Sequence, residues 1–221
     1  MLKEYTVGGL HHYLAKTFLG RYTAGGGKAV DLGAGSGALA VRLQRLGLDV
    51  TAVDLAQDKF MADVPFVRAD LNQPDFSSAL GEGLFDFVSA VEIIEHLESP
   101  ISFLRNVRRL LRPEGIALVT TPNMDSAPSR FRLLLTGKLH MMDEKVPNHI
   151  TPIFYDLFTR AYLPRAGLGM VDHFVYPPGG YKVTRSHHAL VLRILAGVLP
   201  GHTLGDIHAF VLQPSTRETL A

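Results

Sequence analysis

The stretch AVDLGAGSGALA, residues 29–40, decides the fold class of this chain. A short apolar run leads into three glycines at alternate positions, Gly33, Gly35 and Gly37, and a helical pattern follows them. Glycines let the backbone turn tightly and approach a ligand closely, and the free N–H groups at the start of the next helix suit a polar ligand. The pattern predicts a strand, a binding loop and a helix. It also fits a dinucleotide fingerprint in which Ala38 replaces the last glycine.

Three aspartates at the ends of predicted strands narrow the choice of ligand. Asp31 stands two residues before Gly33, where a carboxylate would repel a pyrophosphate but would suit a cationic amino acid. Asp54 ends the second predicted strand, where it can accept both hydroxyls of a ribose. Asp70 ends the third, near the expected position of an adenine edge. This arrangement disfavours an NAD-dependent oxidoreductase.

Short runs of branched and aromatic residues alternate with amphipathic stretches along the chain. The predicted strands are 28–32, 49–54, 65–70, 85–91, 116–121, 169–176 and 207–213. Amphipathic helices are predicted over 37–47 and 99–115, the second with Ser99 as N-cap, Pro100 in the first turn and Gly115 beyond its end. Strands separated by helices predict an α/β fold with a parallel sheet covered on both faces.

The chain is expected to form a single domain over residues 1–221. Its core is 28–121, an insertion covers about 122–151, and two strands and a helix follow over 152–213. The insertion contains a helical run at 129–137 and is too long for an ordinary connection, and such long loops are usually functional. An apolar helix is predicted over 184–199.

The composition excludes several classes of function. The chain has no cysteine, so disulfides, thiolate catalysis and cysteine-ligated zinc are excluded. The 22 basic and 21 acidic residues nearly balance, so charge gives no argument for nucleic acid. Residues 1–16 lack the apolar core of a signal peptide, and the apolar run 189–199 is too short to span a bilayer. A cytoplasmic location is therefore expected.

Four motifs resemble the class I S-adenosylmethionine-dependent methyltransferases: VDLGAGSG, AVDLA with Asp54, RADL with Asp70, and LRPEGIALVTTPN. The resemblance covers roughly residues 28–121. It implies a three-layer Rossmann-like sandwich whose seven-stranded sheet is mostly parallel, with the last strand antiparallel and a lid insertion after strand five. It also implies S-adenosylmethionine as cofactor, held by Asp31, Gly33, Gly35, Gly37, Asp54, Leu55, Asp70, Leu71 and Val91.

The stretch EIIEHL, residues 92–97, places two carboxylates and an imidazole directly after the fourth predicted strand. If a helix begins here, Glu92, Glu95 and His96 share one face, and Ile93 and Ile94 turn away into packing. Three interpretations remain open. The carboxylates could favour a helix N-terminus while His96 bonds locally, His96 could act as a general base, or the group could bind a divalent metal.

The Glu-x-x-Glu-His pattern is similar to that of the ubiquinone-biosynthesis O-methyltransferases, which use a divalent metal. It is also similar to that of the small-RNA 3′-terminal 2′-O-methyltransferases, which add a further histidine. In this chain His149, within the insertion, is the matching histidine, and His140 is a weaker candidate. The resemblance implies Glu92, Glu95, His96 and His149 as catalytic residues and as ligands of Mg²⁺ or Mn²⁺.

The insertion and the helix at 184–199 are expected to cover the site. The insertion mixes apolar and basic side chains. This mixture favours either an ordinary lid helix or an apolar or lipid-linked acceptor that carries an anionic group. The apolar side chains are Phe131, Leu133, Leu134, Leu135, Met141 and Met142, and the basic ones are Arg130, Arg132 and Lys138. The apolar helix could contact a membrane surface. We therefore expect methyl transfer from S-adenosylmethionine to a small molecule, at oxygen. The alternatives are an RNA 3′-terminal 2′-O-methyltransferase and a non-catalytic S-adenosylmethionine-binding protein.

Overall fold

Seven strands form one sheet in the computed structural model, which describes residues 2–22, 26–144, 146–183 and 186–215. The strands are β1 Gly27–Leu32, β2 Leu48–Asp54, β3 Phe66–Arg68, β4 Phe85–Val91, β5 Leu111–Pro122, β6 Leu168–Tyr176 and β7 Ile207–Pro214. Their order is β3-β2-β1-β4-β5-β7-β6. Strands β1 to β5 pair in parallel, whereas β7 runs antiparallel to both β5 and β6. The expected mostly parallel sheet with an antiparallel last strand is confirmed.

The helices connect these strands and cover both faces of the sheet. They are α1 Leu10–Leu14, α2 Gly20–Tyr22, α3 Ala38–Arg45, α4 Pro100–Leu110, α5 Ala127–Thr136, α6 Tyr155–Leu157, α7 Leu163–Ala166 and α8 Ser186–Ala196. Single turns of π-helix occupy Ala15–Leu19 and Phe158–Tyr162, and 3-10 turns occupy Gln57–Lys59, Phe76–Ala79 and Ile94–His96. Residues 184 and 185 of the predicted apolar helix lie outside the described residues. None of the helices described is both long and apolar enough to span a bilayer.

The start of α4 agrees with the sequence, but its end does not. Ser99 caps the helix by accepting a hydrogen bond from the N–H of Ser102, with Pro100 as the first helical residue. The helix ends at Leu110, and Leu111 is already extended in β5. Gly115 lies beyond the helix end as predicted, but inside β5, so the predicted helix 99–115 extends too far. The physical reason is the early pairing of Leu111 with Phe85, followed by a register shift in which residues 112–115 of β5 lie opposite Asp86 of β4.

Alternate residues of the strands feed two separate cores, which gives the fold three layers. Val30 of β1 belongs to a core with Phe103 and Val107 of α4. Its neighbour Ala29 belongs to the core on the opposite face, with Leu39 of α3. Both faces of the sheet are therefore buried, as a parallel sheet requires.

The insertion leaves the sheet after β5 and returns to it. Ser126 caps α5 by accepting from the N–H of Ser129, and Gly137 ends the helix in the left-handed conformation with φ +68°. The two ends of the insertion then meet, because the Asp125 carboxylate accepts a hydrogen bond from the Tyr155 N–H at 2.8 Å. The N–H groups of Ile150 and Thr151 also donate to the Glu95 carbonyl, which holds the segment 146–151 near the carboxyl end of β4.

Candidate active site

A cavity of about 670 Å³ opens at the carboxyl edge of β1, β2 and β4. We call it the main cavity. Seven of the predicted cofactor-binding and catalytic residues line it: Gly33, Gly35, Asp54, Leu55, Val91, Glu92 and His96. The other six lie outside its lining: Asp31, Gly37, Asp70, Leu71, Glu95 and His149. Ligands of open α/β sheets bind at this edge, so the main cavity is the candidate site.

Asp54 ties the loop after β1 to the loop after β2. One of its carboxylate oxygens accepts from the N–H of Gly35 at 2.8 Å, and the other accepts from the N–H of Ala56 at 2.9 Å. The N–H groups of Gly33 and Ala34 donate to the Val53 carbonyl at 2.8 and 3.0 Å. Since a carboxylate oxygen can accept more than one hydrogen bond, Asp54 keeps acceptor capacity toward the cavity.

Close approach explains two of the three glycines. A Cβ on Gly33, which has φ +73°, would lie 2.6 Å from the Cδ1 atom of Ile93. A Cβ on Gly37, which has φ +83°, would lie 2.3 Å from the Cβ of Ala62 and 2.8 Å from Cε2 of Phe60. Gly33 therefore lets Ile93 reach the cavity, and Gly37 lets the loop pack on the segment after β2.

Asp31 is buried between neighbouring strands. Its Oδ1 accepts from the Ser89 hydroxyl at 2.7 Å, and its side chain is 2% exposed. Burial raises the pKa of Asp31 to about 7. The hydrogen bonds from Ser89 and from the Ala40 backbone lower this pKa, whereas repulsion from Asp54 raises it further. The carboxylate thus faces the base of the glycine loop rather than the cavity.

Asp70 and Leu71 follow β3 in a turn and do not line the main cavity. The Asp70 carboxylate accepts from the backbone N–H of Asn72 at 2.9 Å and from the Gln73 side-chain amide at 3.5 Å. Leu71 is 7% exposed and belongs to the hydrophobic core on the α4 side of the sheet. In this structure Asp70 stabilises a turn and Leu71 packs in the core.

The segment 92–97 does not begin an α-helix, so the condition under which Glu92, Glu95 and His96 would share one helix face is not met. Glu92 has φ +56°, and only a single 3-10 turn follows, at Ile94–His96. Glu92 precedes this turn with a left-handed backbone, so the helical spacing that would place Glu92 and Glu95 on one face does not apply to it. Ile93, expected to turn away, lines the cavity against Gly33 instead, whereas Ile94 is fully buried.

Glu92 lies at the cavity wall and bonds to β5. Its N–H donates to the Thr120 hydroxyl oxygen at 3.0 Å, and that hydroxyl donates to the Glu92 carboxylate at 3.3 Å. Burial raises the pKa of Glu92 to about 8; the Thr120 hydrogen bond opposes the shift and Asp206 adds to it. Glu92 therefore holds a proton over much of the neutral range.

Glu95, His96 and His149 form a compact group of potential metal ligands, with one ligand atom of each within 4.8 Å of the others. Glu95 is completely buried, and neither carboxylate oxygen has a hydrogen-bond partner among the described residues. Burial, followed by repulsion from Glu92, raises the pKa of Glu95 well above its usual range, although the nearby Thr121 side chain opposes this. Glu92 and His140 are not part of the group.

The two histidines are oriented by backbone carbonyls. His96 Nδ1 lies 2.9 Å from the carbonyl oxygen of Asn148, and His149 Nδ1 lies 2.7 Å from that of Met141. A carbonyl only accepts, so each Nδ1 carries the proton and each Nε2 keeps a lone pair. The rings meet edge to face with centroids 4.7 Å apart. Burial, followed by His96, lowers the pKa of His149, so its imidazole is neutral near pH 7.

The insertion positions His149 through backbone hydrogen bonds. The N–H groups of Ile150 and Thr151 donate to the Glu95 carbonyl at 2.9 and 3.0 Å, and the Thr151 hydroxyl donates to the Leu97 carbonyl at 2.5 Å. The segment 146–151 is therefore fixed to the turn that carries Glu95 and His96. Its neighbours Pro147, Asn148 and Ile150 line the main cavity.

Sequence reasoning missed a second part of the cavity wall. Lys3, Tyr5, Thr6 and His11, which precede β1, line the main cavity with the glycine loop. Their sequence, KEYTVGGLHH, shows no spacing typical of a binding motif. The only available signal was His11 on the apolar face of α1 with Leu10 and Leu14, which is more often a core position.

The sheet order, the glycine loop and the carboxylate at the end of β2 define the class of S-adenosylmethionine-dependent methyltransferases. A family model described as a methyltransferase domain matches residues 9–165. The chain belongs to this methyltransferase family.

Relatives and solved structures agree with this assignment. The chain is 31% identical over 170 residues to the ubiquinone biosynthesis O-methyltransferase of Roseobacter denitrificans, covering 68% of this chain and 64% of the relative. It is 29% identical over 161 residues to the protein of the same name from Xanthomonas euvesicatoria, covering 69% and 66%. The chain thus matches slightly less than two thirds of each relative's length.

Two solved structures share the fold at low sequence identity. A SAM-dependent methyltransferase from Archaeoglobus fulgidus superposes with a TM-score of 0.66 at 16% identity, over 92% of this chain and 94% of the other. The 1,6-didemethyltoxoflavin-N1-methyltransferase of Burkholderia thailandensis, solved with its substrate and S-adenosylhomocysteine, gives 0.59 at 18% identity, over 93% and 79%.

Proposed function

We propose that this protein transfers a methyl group from S-adenosylmethionine to an oxygen atom of a small-molecule acceptor. One observation carries the proposal: a single cavity runs from Asp54, at the end of β2, to Glu92 and His96, beyond the end of β4. The cavity therefore offers a ribose acceptor and a candidate proton acceptor within one space. The names of the two relatives support oxygen as the acceptor atom.

The cofactor is assigned to the half of the cavity formed by β1 and β2. The methionine part lies over Gly33 and Gly35, the ribose hydroxyls bond to Asp54, and the adenine lies beside Leu55 toward Asp70 and Leu71. Val91 then lies near the sulfonium. Asp31 and Gly37 do not contact the cofactor in this assignment; they fix the conformation of the glycine loop.

The acceptor is assigned to the half beyond β4. The sulfonium already activates its methyl group, so the protein has to hold the acceptor oxygen in line and remove its proton. His96 lines the cavity and keeps the Nε2 lone pair, which can accept that proton. Glu92, protonated near neutral pH, serves better as a hydrogen-bond donor to the acceptor than as a base.

The chain also fits a divalent metal ion. The Glu95 carboxyl has no hydrogen-bond partner among the described residues, and His96 and His149 each offer a ring nitrogen. One possible ligand atom of each of the three residues lies within 4.8 Å of the other two. Glu95, His96 and His149 would hold Mg²⁺ or Mn²⁺, and Glu92 is left out of the set. When bound, such an ion would supply Lewis-acid chemistry, making an acceptor hydroxyl more acidic and stabilising an oxyanion.

An apolar or lipid-linked acceptor is supported by the surface of α5 and α8. The two helices pack together. Both expose large apolar side chains, among them Leu134 at 78% and Leu135 at 77% on α5, and Ile194 at 68% on α8. Isolated exposed leucines are ordinary, but neighbouring ones on two helices are typical of an interaction surface. We propose that this surface contacts a lipid membrane from which the acceptor is reached.

Methyl transfer from labelled S-adenosylmethionine to a panel of acceptors tests the proposal. We expect transfer to a hydroxylated aromatic compound with an apolar tail and none to the analogue in which that hydroxyl is already methylated. Calorimetry should also show binding of S-adenosylhomocysteine. Binding of NADH without S-adenosylhomocysteine would overturn the assignment, and transfer to small RNA alone would replace the acceptor.

Removal of metal ions by a chelator distinguishes a mechanism with His96 as general base from one that depends on a metal ion. If Glu95, His96 and His149 hold an ion, rigorous chelation abolishes transfer and Mn²⁺ or Mg²⁺ restores it. The Glu95→Gln variant should then lose metal binding measured by calorimetry, whereas Glu98→Gln, an exposed neighbour, should not. Full activity after chelation would leave His96 as a base acting alone.

A further inference from the structure

The segment 3–11 lies across the glycine loop and forms a wall of the main cavity. The Ser36 hydroxyl donates to the carbonyl of Lys3 at 2.6 Å. The ring of Tyr5 lies against Gly35, since a Cβ on that glycine would be 3.1 Å from the ring. Arg42 of α3 donates to the Glu4 carboxylate at 2.5 Å and fixes the segment from the other side.

The glycine loop has few donors left for an anion. The N–H groups of Gly33 and Ala34 bond to Val53, that of Gly35 bonds to Asp54, and that of Gly37 bonds to the Ala34 carbonyl at 2.8 Å. The methionine part of the cofactor carries a carboxylate as well as an ammonium group. A binding site for that carboxylate therefore needs donors from outside the loop.

The segment 3–11 supplies such donors at the correct end of the cavity. Lys3 places its Nζ 4.7 Å from the centroid of the Tyr5 ring, which itself covers Gly35. His11 lines the cavity, is 7% exposed, and its Nδ1 has no hydrogen-bond partner among the described residues. Glu4 lies 4.0 Å from that nitrogen, beyond hydrogen-bond distance, and its charge is paired with Arg42. Lys59, another cation on the wall, lies in the turn after β2 on the ribose side.

We propose that Lys3 and His11 bind the carboxylate of the methionine part of S-adenosylmethionine. This inference rests on the proposed function, because it assigns one end of the same ligand. Lys3 provides the positive charge, and His11 provides an N–H donor in the wall of the same cavity. Burial lowers the pKa of His11 to about 4, so its ring is neutral near pH 7 and donates one hydrogen bond.

Two ligands that differ only in the carboxylate give the test. Calorimetry measures the affinity of S-adenosylmethionine and of decarboxylated S-adenosylmethionine for the wild type, Lys3→Met and His11→Gln. Each variant should bind S-adenosylmethionine about tenfold or more weakly, as expected for a lost hydrogen bond to a charged group. Neither should change the affinity for the decarboxylated ligand. Lys16→Met and His12→Gln are matched controls on exposed neighbouring positions and should bind both ligands as the wild type does.

The outcomes separate this inference from the function on which it rests. Failure of the wild type to bind S-adenosylmethionine would overturn both. If Lys3→Met weakened the binding of both ligands equally, the segment would only close the cavity. If it changed neither affinity, the segment would be no part of the site. Either result overturns this inference but not the proposed function. Lys3 is exposed, so Lys3→Met remains decisive even if His11→Gln does not fold.

Discussion

Asp31 shows how one residue can belong to a binding motif without touching the cavity. Its carboxylate is buried against Ser89 of β4, and its pKa is raised to about 7. Burying an ionisable carboxyl in this way costs free energy unless the group stays protonated. Its position beneath the glycine loop indicates that it fixes the loop conformation at the expense of stability.

The first prediction concerns Asp31→Asn. In the folded state Asp31 keeps its proton up to about pH 7, whereas the unfolded chain releases it near the usual value of 3.8. Its contribution to stability is therefore complete below about pH 4 and is lost as the pH rises through about 7. Asp31→Asn should raise the free energy of unfolding more at pH 8 than at pH 5. The difference between the two increases should be on the order of 1–3 kcal/mol. Urea unfolding at the two pH values measures this.

The control for that prediction is Asp49→Asn, because Asp49 is an exposed residue of the neighbouring β2. This variant should show the same pH dependence as the wild type. A matching pH dependence in Asp31→Asn would contradict the raised pKa.

Single residues were predictable where one strand end determines their position. The sequence was sufficient to expect Asp54 in the main cavity, because the end of a parallel strand fixes its place. It was insufficient for the wall residue His11, because contact between α1 and the glycine loop depends on packing between segments with no shared pattern. The meeting of His149 with Glu95 needed the resemblance, since 53 intervening residues separate them.

At the scale of elements, the loop between β1 and α3 is limited by its neighbours. Gly37 has φ +83° and no room for a Cβ, whereas Gly83 has φ +64° and open space around it. Both substitutions by alanine carry the cost of a left-handed backbone, but only Gly37→Ala adds a clash with Ala62 and Phe60. We expect Gly37→Ala to lose at least about 2 kcal/mol more unfolding free energy than Gly83→Ala.

The same pair of variants should differ in ligand binding. Gly37→Ala displaces the loop and should weaken S-adenosylhomocysteine, while Gly83→Ala should leave its affinity unchanged. Chemical unfolding and calorimetry supply the two measurements. Equal loss of stability in both variants would mean that the loop relaxes around the added methyl group.

The exposed face of α5 and α8 gives a prediction for the proposed membrane surface. Leu134→Glu places a charge at a position that is 78% exposed and has no role in the core. If the face enters the lipid interface, the Leu134→Glu variant should bind phospholipid vesicles about tenfold more weakly than the wild type in a sedimentation assay. This is the loss expected when one buried leucine no longer contributes to binding. Val171→Glu, at an exposed position of β6, is the control and should bind vesicles as the wild type does. Equal binding by both variants would remove α5 from the membrane contact.

Elements were predictable in proportion to their periodicity. Each of the seven predicted strands overlaps an observed strand, because each predicted run is rich in branched or aromatic residues. The largest difference is at β5, which begins at Leu111 rather than at residue 116. The stretch 92–97 was not predictable, because its residues favour a helix while Glu92 adopts φ +56°. That conformation depends on the hydrogen bonds between Glu92 and Thr120 of a different strand.

At the scale of the whole molecule, a histidine cluster joins the sheet to both ends of the insertion. His173 of β6 and His208 of β7 are 2.9 Å apart between ring nitrogens, and the His208 ring lies 3.6 Å from Asp125. Tyr155 stacks on His202 with centroids 3.7 Å apart. Burial is the main cause that lowers the pKa of all three histidines, that of His173 to about 3.

The cluster predicts loss of stability in acid. The unfolded chain binds a proton on each of these histidines near pH 6.5, whereas folded His173 binds one only near pH 3. Their contribution is therefore complete above about pH 6.5 and falls as the pH decreases, by at most about 1.4 kcal/mol per pH unit for each group. His173→Gln should reduce the slope of unfolding free energy against pH between 7 and 5. His12→Gln, on an exposed position, should keep the wild-type slope, and an unchanged slope in His173→Gln would contradict the assignment.

Two pieces of chain that are far apart in sequence line the main cavity, residues 3–11 beside the glycine loop and residues 147–150 beyond the end of β4. The first piece is bonded to α3 and the second to the turn after β4, so the two share no attachment in these hydrogen bonds. We infer that, under the proposed function, each piece opens separately and gives the demethylated donor and the methylated product separate exits. We expect a random order of product release, in which each product inhibits competitively against its own substrate; noncompetitive inhibition by the methylated product against the acceptor would indicate an ordered release instead.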